Sequence, residues 1–260
     1  MLFWSDDIGS GTRSVTVNVA SQDLLLRDIE DALGTGTGLA VATLNLDHVV
    51  KLRGNSDFRD AYLHQTHVTA DGNPIVWLLR ISGRRVDLVT GSDLVEPVAA
   101  LAARMGAKVA MIGSTDASLR SAASTLAARH QGFETVLAVS PPMGFDATGR
   151  DADTVIAELD RSGARICFVA LGAPKQEVFV ARARRALPHV VFISVGAGLD
   201  FISGLQVRAP RVFRMFAAEW LWRLASDPRR LAGRYAACAA SLPALTASAL
   251  KSRLTDVRAP

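Results

Sequence analysis

Six short apolar runs, GLAVATLN, RVDLVT, AKVAMIG, FETVLAV, ARICFVALG and HVVFISVG, recur along the chain. Helix-patterned stretches such as GSDLVEPVAALAARM and TDASLRSAASTLAARH lie between them. Short runs rich in β-branched residues and closed by Gly or polar residues read as strands. A strand apolar at nearly every position must be covered on both faces, and strands separated by helices are joined by right-handed crossovers into a parallel sheet. The expectation is an α/β fold with a doubly wound, mainly parallel sheet. Such a sheet keeps its ligands in a crevice outside the carboxyl ends of its strands, so polar residues there are the first candidates for function.

A chain of 260 residues, 49% hydrophobic, is long enough for one large domain or a domain with an appendage, and too apolar to be disordered. Its two cysteines, Cys167 in an apolar run and Cys238 among alanines, have neither metal-ligand spacing nor the density of a disulfide framework. A reduced, cytoplasmic setting is expected. MLFWSDDIGS has neither a basic nor an apolar signal region, and no run approaches the roughly 20 apolar residues of a membrane span.

The net charge of +4 conceals a division. Residues 208–260 hold ten Lys or Arg against three Asp or Glu, net +7, leaving nineteen against twenty-two, net −3, in residues 1–207. We therefore expect an α/β body over 1–207 and a basic helical appendage over 208–260, facing a polyanionic partner. After Pro210, suited to a first helical position, Phe213, Phe216, Trp220 and Leu224 share one helical face. Packing on the body would explain that stripe. It leaves Arg211, Arg214, Trp222, Arg223, Arg229, Arg230 and Arg234 to be explained. Arginines beside aromatics suit an anionic membrane surface, and their bidentate donors also suit diphosphates.

Polar clusters fall where the fold predicts a crevice. ATLNLDH ends a strand with Thr43 and Asn45, VAMIGSTD leaves another through Gly113, and LGAPKQE follows a third with Lys175, Gln176 and Glu177. Thr115 and Asp116 also suit a helix cap, and Glu177 in a first turn suits the helix dipole. SVGAGLDF resembles a dinucleotide fingerprint but lacks its downstream acidic residue, which disfavours a nicotinamide enzyme. In TADGNPIVW, Asp71 precedes Gly72 and Pro74 at a helix entry, where it can serve a turn or a pocket.

Several motifs in order resemble those of the WecG/TagA/CpsF glycosyltransferases, glycosyltransferase family 26. They are ATLNLDHVVKLRGNSDFRDAYLHQTHVTADGNPIVW, VTGSDL, LGAPKQE, VGAGLDFISGLQVRAP and EWLWRLASDPRRLAGRY, and they run from about residue 38 to 235. The resemblance implies a Rossmann-like body with a C-terminal membrane-associating appendage. It also implies inverting transfer of a sugar from a UDP-sugar to a polyprenyl-diphosphate-linked saccharide at the inner face of the plasma membrane, during surface-polysaccharide or wall-polymer synthesis. By the same resemblance Asp71 is the candidate base, Thr43, Asn45 and Gln176 surround the nucleotide-sugar, and Lys175 contacts phosphate or sugar.

The leaving diphosphate needs fixed cations or a metal. Asp151 and Asp153 form the only Asp-x-Asp but open a helix instead of ending a strand, so a metal-free, cofactor-free site is expected, with Arg211, Arg214 and Arg223 supplying charge to the substrate. Trp222, Arg229, Arg230 and Arg234 are assigned to the membrane. Leu88 stands where many relatives carry an arginine, and Asn73 where many carry a methionine, so donor or acceptor preference is open. Homo-oligomerisation is open too. No nucleic-acid motif accompanies the basic tail, and a noncatalytic membrane scaffold indifferent to loss of Asp71 is the other rival.

Overall fold

The computed structural model describes all residues except 2, 9–10, 207–223, 225–226 and 257–260. In chain order the described elements are β1 (Trp4–Ile8), β2 (Gly11–Val15), α1 (Gln22–Thr35), β3 (Ala40–Leu44), α2 (Leu46–Gly54), α3 (Ser56–Leu63), β4 (His67–Ala70), α4 (Asn73–Ile81), α5 (Gly91–Met105) and β5 (Val109–Gly113). There follow α6 (Asp116–Arg129), β6 (Thr135–Val139), α7 (Arg150–Ser162), β7 (Ile166–Ala170), α8 (Lys175–Ala186), β8 (Val191–Ser194), α9 (Gly198–Ser203) and α10 (Pro228–Asp256). Strands β3 to β8 form one six-stranded sheet in the order β4-β3-β8-β7-β5-β6, every pairing parallel. The α/β, Rossmann-like class expected from the strand pattern is the one observed.

The strands away from the β4 edge are mostly apolar because alternate residues enter different cores. Val41, Met111, Phe168 and Ile193 point to the side covered by α1, α5 and α6, among Leu25, Ile29, Val98 and Leu126. Ala110, Ile112, Cys167, Val169 and Phe192 point to the other, against Val155, Phe179 and Val180 of α7 and α8. A third cluster closes the β4 edge, where Leu44, Val68 and Ala70 meet Leu52, Phe58, Tyr62, Ile75 and Leu79. Gly113, at the end of β5, is required by close approach: a Cβ there would lie 2.4 Å from the Ala170 carbonyl, and its φ is +111°.

Two strand expectations need correction. RVDLVT lies outside the sheet, whereas His67–Ala70 supplies the edge strand. The Val89 N–H bonds the Ala70 carbonyl at 2.9 Å and the Asp87 N–H bonds Ala20, so the segment caps the end of β4 instead of laddering along it. The antiparallel hairpin β1–β2 was not anticipated.

Helix α10 packs on α2 and α4. Leu231, Cys238, Leu245 and Ala249 form its buried side, and the last two join the third cluster beside Met1 and Phe3. The expected boundary at 207/208 falls outside the described residues, as do Arg211, Arg214, Trp222 and Arg223.

Candidate active site

Register brings the first two motifs together. Strands β3 and β4 pair with Leu44 opposite Ala70, so Asn45 and Asp71 leave the sheet side by side, and the Asp71 N–H donates to the Leu44 carbonyl at 2.9 Å. Gly72 then turns the chain with φ +111°, a conformation suited to glycine, and Pro74 starts α4. Asn45 caps α2: its side-chain oxygen accepts from the His48 N–H at 3.0 Å. That leaves its NH2 group, like the hydroxyl of the buried Thr43, without a hydrogen-bond partner among the described residues.

The third motif places two buried side chains beyond the carboxyl end of β7. Gln176 Oε1 accepts from the Gly196 N–H at 3.3 Å, tying the turn after β7 to the turn after β8. Its Nε2 donates to Glu177 Oε1 at 2.8 Å, while Glu177 Oε2 is buried with no hydrogen bond. Burial pushes the Glu177 carboxyl up to about 7, opposed by the Gln176 hydrogen bond and the Lys51 ammonium. Lys175 is exposed and lines a cavity of about 250 Å³ together with Asn55, Asp57, Phe145 and Asp146.

Tyr62, at the centre of this arrangement, was missed in the sequence. It is fully enclosed, bonds His48 Nδ1 at 2.7 Å, and lies 3.5 Å from the Thr43 carbonyl. Burial, then the nearby Glu177 and Asp71 carboxylates, hold its phenol well above the usual tyrosine range. Burial drives His48 down to about 3, so its ring is neutral at pH 7. The signal was available: Phe58, Ala61 and Tyr62 share an apolar helical face, and a buried tyrosine hydroxyl on such a face needs a polar partner.

A second chain of contacts reaches α10. Arg234 Nε lies 3.2 Å from Asp47 Oδ1, whose other oxygen is 2.8 Å from Lys51 Nζ. Lys51 donates to the Ala173 carbonyl at 3.3 Å, beside the cis Ala173–Pro174 bond that leads into Lys175. Arg234, assigned to the membrane from sequence, thus contacts the body near the site. Arg229 is exposed; the side chain of Arg230 lies outside the described residues.

The model of the glycosyl transferase WecG/TagA/CpsF family matches residues 12–259. The chain belongs to that family. It is a glycosyltransferase of cell-wall polymer synthesis, a class that takes nucleotide-sugar donors and lipid-linked acceptors. Thr43, Asn45, Asp71 and Gln176 all lie at or just beyond the carboxyl ends of β3, β4 and β7, the side of the sheet on which such folds bind their ligands. Asp151 and Asp153 occupy the first turn of α7, with Asp153 held by Arg182 at 2.6 Å. Among the described residues no group of three His, Cys, Asp or Glu converges as a metal site, and no helix is long and apolar enough to cross a membrane.

Proposed function

We propose that this glycosyltransferase moves a sugar from a UDP-sugar, of N-acetylmannosamine type or a hexose such as glucose, to a polyprenyl-diphosphate-linked saccharide with inversion. The placement of Asp71 beside Asn45 and Thr43 at the carboxyl ends of β3 and β4 carries the reading. An acceptor hydroxyl attacks the anomeric carbon while its proton passes to the Asp71 carboxylate. The bond between that carbon and the diphosphate oxygen breaks, and UDP departs with the electron pair. Thr43 holds the donor through its hydroxyl, and Asn45 and Gln176 through amide N–H groups, their oxygens being taken by His48 and Gly196. Lys175 meets its phosphates or sugar. Arg211, Arg214 and Arg223 stabilise the departing diphosphate, with no metal required.

The acceptor is lipid-linked, so the enzyme works at the inner face of the plasma membrane, with Trp222, Arg229 and Arg230 toward anionic lipid and Arg234 held to the body by Asp47. A screen of UDP-sugars with a polyprenyl-diphosphate-sugar acceptor tests the reading: turnover with at least one donor, surviving excess chelator, is expected. No turnover with any UDP-sugar would defeat the donor assignment. Loss on chelation, restored by magnesium or manganese, would defeat the arginine assignment.

A further inference from the structure

At the far end of α4, away from Asp71, an open cleft of about 660 Å³ is lined by Arg80, Gly83, Arg85, Val86, Asp87 and Arg253. Its three guanidinium groups come from the last turn of α4, the following loop and the last turns of α10. Each is exposed, and none has a hydrogen bond or carboxylate partner among the described residues. The loop carrying Arg85 is built and anchored: Arg84 donates to the Val17 carbonyl at 2.8 Å and to Thr16 Oγ1 at 3.1 Å, and the Asp87 N–H donates to Ala20 at 2.8 Å. Three like charges held around one cleft with a single carboxylate among them are an arrangement that an anion completes.

Exposed apolar side chains share the two helices with the charges. Leu250 and Leu254, 50% and 64% exposed, lie within one arc of about 100° on α10 with Arg253, and Trp77, 50% exposed, lies one turn before Arg80 on α4. Between Arg234 and Lys251 the sequence of α10 carries no charged residue, and its side away from the body is mostly alanine. A helix basic at both ends and uncharged between, with exposed Trp and Leu beside arginines, matches an element lying in a membrane interface.

We infer that the Arg80–Arg85–Arg253 cleft binds the phosphate of anionic lipid headgroups, so that the body itself, together with the end of α10, docks on the bilayer. This deepens the membrane association proposed above and rests on it for the identity of the partner. Arg253 lies twenty-four residues beyond the exposed Arg229, about 36 Å along the helix. Contact at both ends therefore sets α10 parallel to the surface, fixing how the crevice at Asp71 is presented to a lipid-linked acceptor.

The test is sedimentation of the full chain with phosphatidylglycerol-containing vesicles and with phosphatidylcholine vesicles alone. Wild type should bind only the anionic vesicles. Each arginine removed should weaken binding about fivefold, so Arg80→Gln/Arg85→Gln/Arg253→Gln should lose roughly 100-fold. The corresponding triple Arg→Lys variant should keep most of it. The melting temperature of both variants reports folding. Unchanged vesicle affinity in the glutamine variant overturns the cleft assignment while leaving the membrane reading intact; no binding by wild type overturns both. If wild type binds inorganic pyrophosphate through these arginines while the glutamine variant keeps its vesicle affinity, the ligand is a free phosphate and the lipid assignment falls.

Discussion

Helix α4 starts at the turn that holds Asp71 and carries Arg80 in its last turn, and its two ends are organised in opposite ways. At the first end the polar groups are enclosed and most have assigned partners: Gln176 holds Gly196 and Glu177, Tyr62 holds His48, and Asp71 is fixed by its backbone bond to Leu44. At the second end three arginines stand exposed without partners. The first arrangement suits chemistry that depends on fractions of an ångström. The second suits a partner recognised by charge and surface. Function at one end should therefore be sensitive to shape, and at the other to charge alone.

The largest separation of the two ends should come from Asp71→Asn. Loss of a general base costs about 10²–10⁴-fold in kcat, while UDP affinity and vesicle binding should be retained. Near-normal kcat would return Asp71 to a turn-forming role.

Glu177→Gln sharpens the contrast through stability. A carboxyl raised from 4.5 to about 7 by burial binds an extra proton in the folded state between those values. Folding stability from this group is therefore full below about pH 4.5 and lost as pH rises to about 7. The variant should gain on wild type across that window by on the order of 3 kcal/mol and hold the gain above it. Denaturant melts at pH 4.5, 6 and 8 measure this, and a pH-independent difference would mean Glu177 is ionised in the fold. No such window should accompany the substitutions in the arginine cleft.

Tyr62→Phe leaves His48 Nδ1 buried without its hydroxyl, at a cost of about 2 kcal/mol in chemical denaturation. A loss below about 0.5 kcal/mol would show that the bond adds nothing net. The smallest effects should come from Thr43→Ala and Gln176→Ala, each raising the donor KM roughly tenfold, a shift equal to one lost hydrogen bond of about 1.4 kcal/mol. Unchanged kinetics with a lowered melting temperature would make both residues structural.

Much of this was legible in the sequence because burial on both sheet faces writes itself as continuous apolar runs, as in β5, β7 and β8. The edge was less legible. His67–Ala70 is short and mixed in polarity, whereas Arg85–Leu88 alternates polar and apolar like a strand although Leu88 is exposed and the buried positions are Val86 and Val89. Thr43, Asn45, Asp71 and Gln176 stood out as polar residues where strands end. Tyr62, His48 and Lys51 did not, since they act from helices whose contacts with β3 and α8 are tertiary. The arginine cleft was invisible for the same reason: Arg80 and Arg253 are 173 positions apart and meet only because α10 packs along α4.

This packing also bears on how the appendage is best probed. Removing residues from 208 onward would strip Leu245 and Ala249 from the third core cluster, so point substitutions separate anchoring from folding more cleanly than truncation.

The central claim is a single displacement at the anomeric carbon with Asp71 taking the proton. Its most direct test is the anomeric configuration of the product, read by NMR after transfer from an α-configured UDP-sugar to the lipid-linked acceptor. The account predicts a β-linked product. An α-linked product would contradict it, because retention requires a second displacement or a front-face departure that a lone base at Asp71 does not provide.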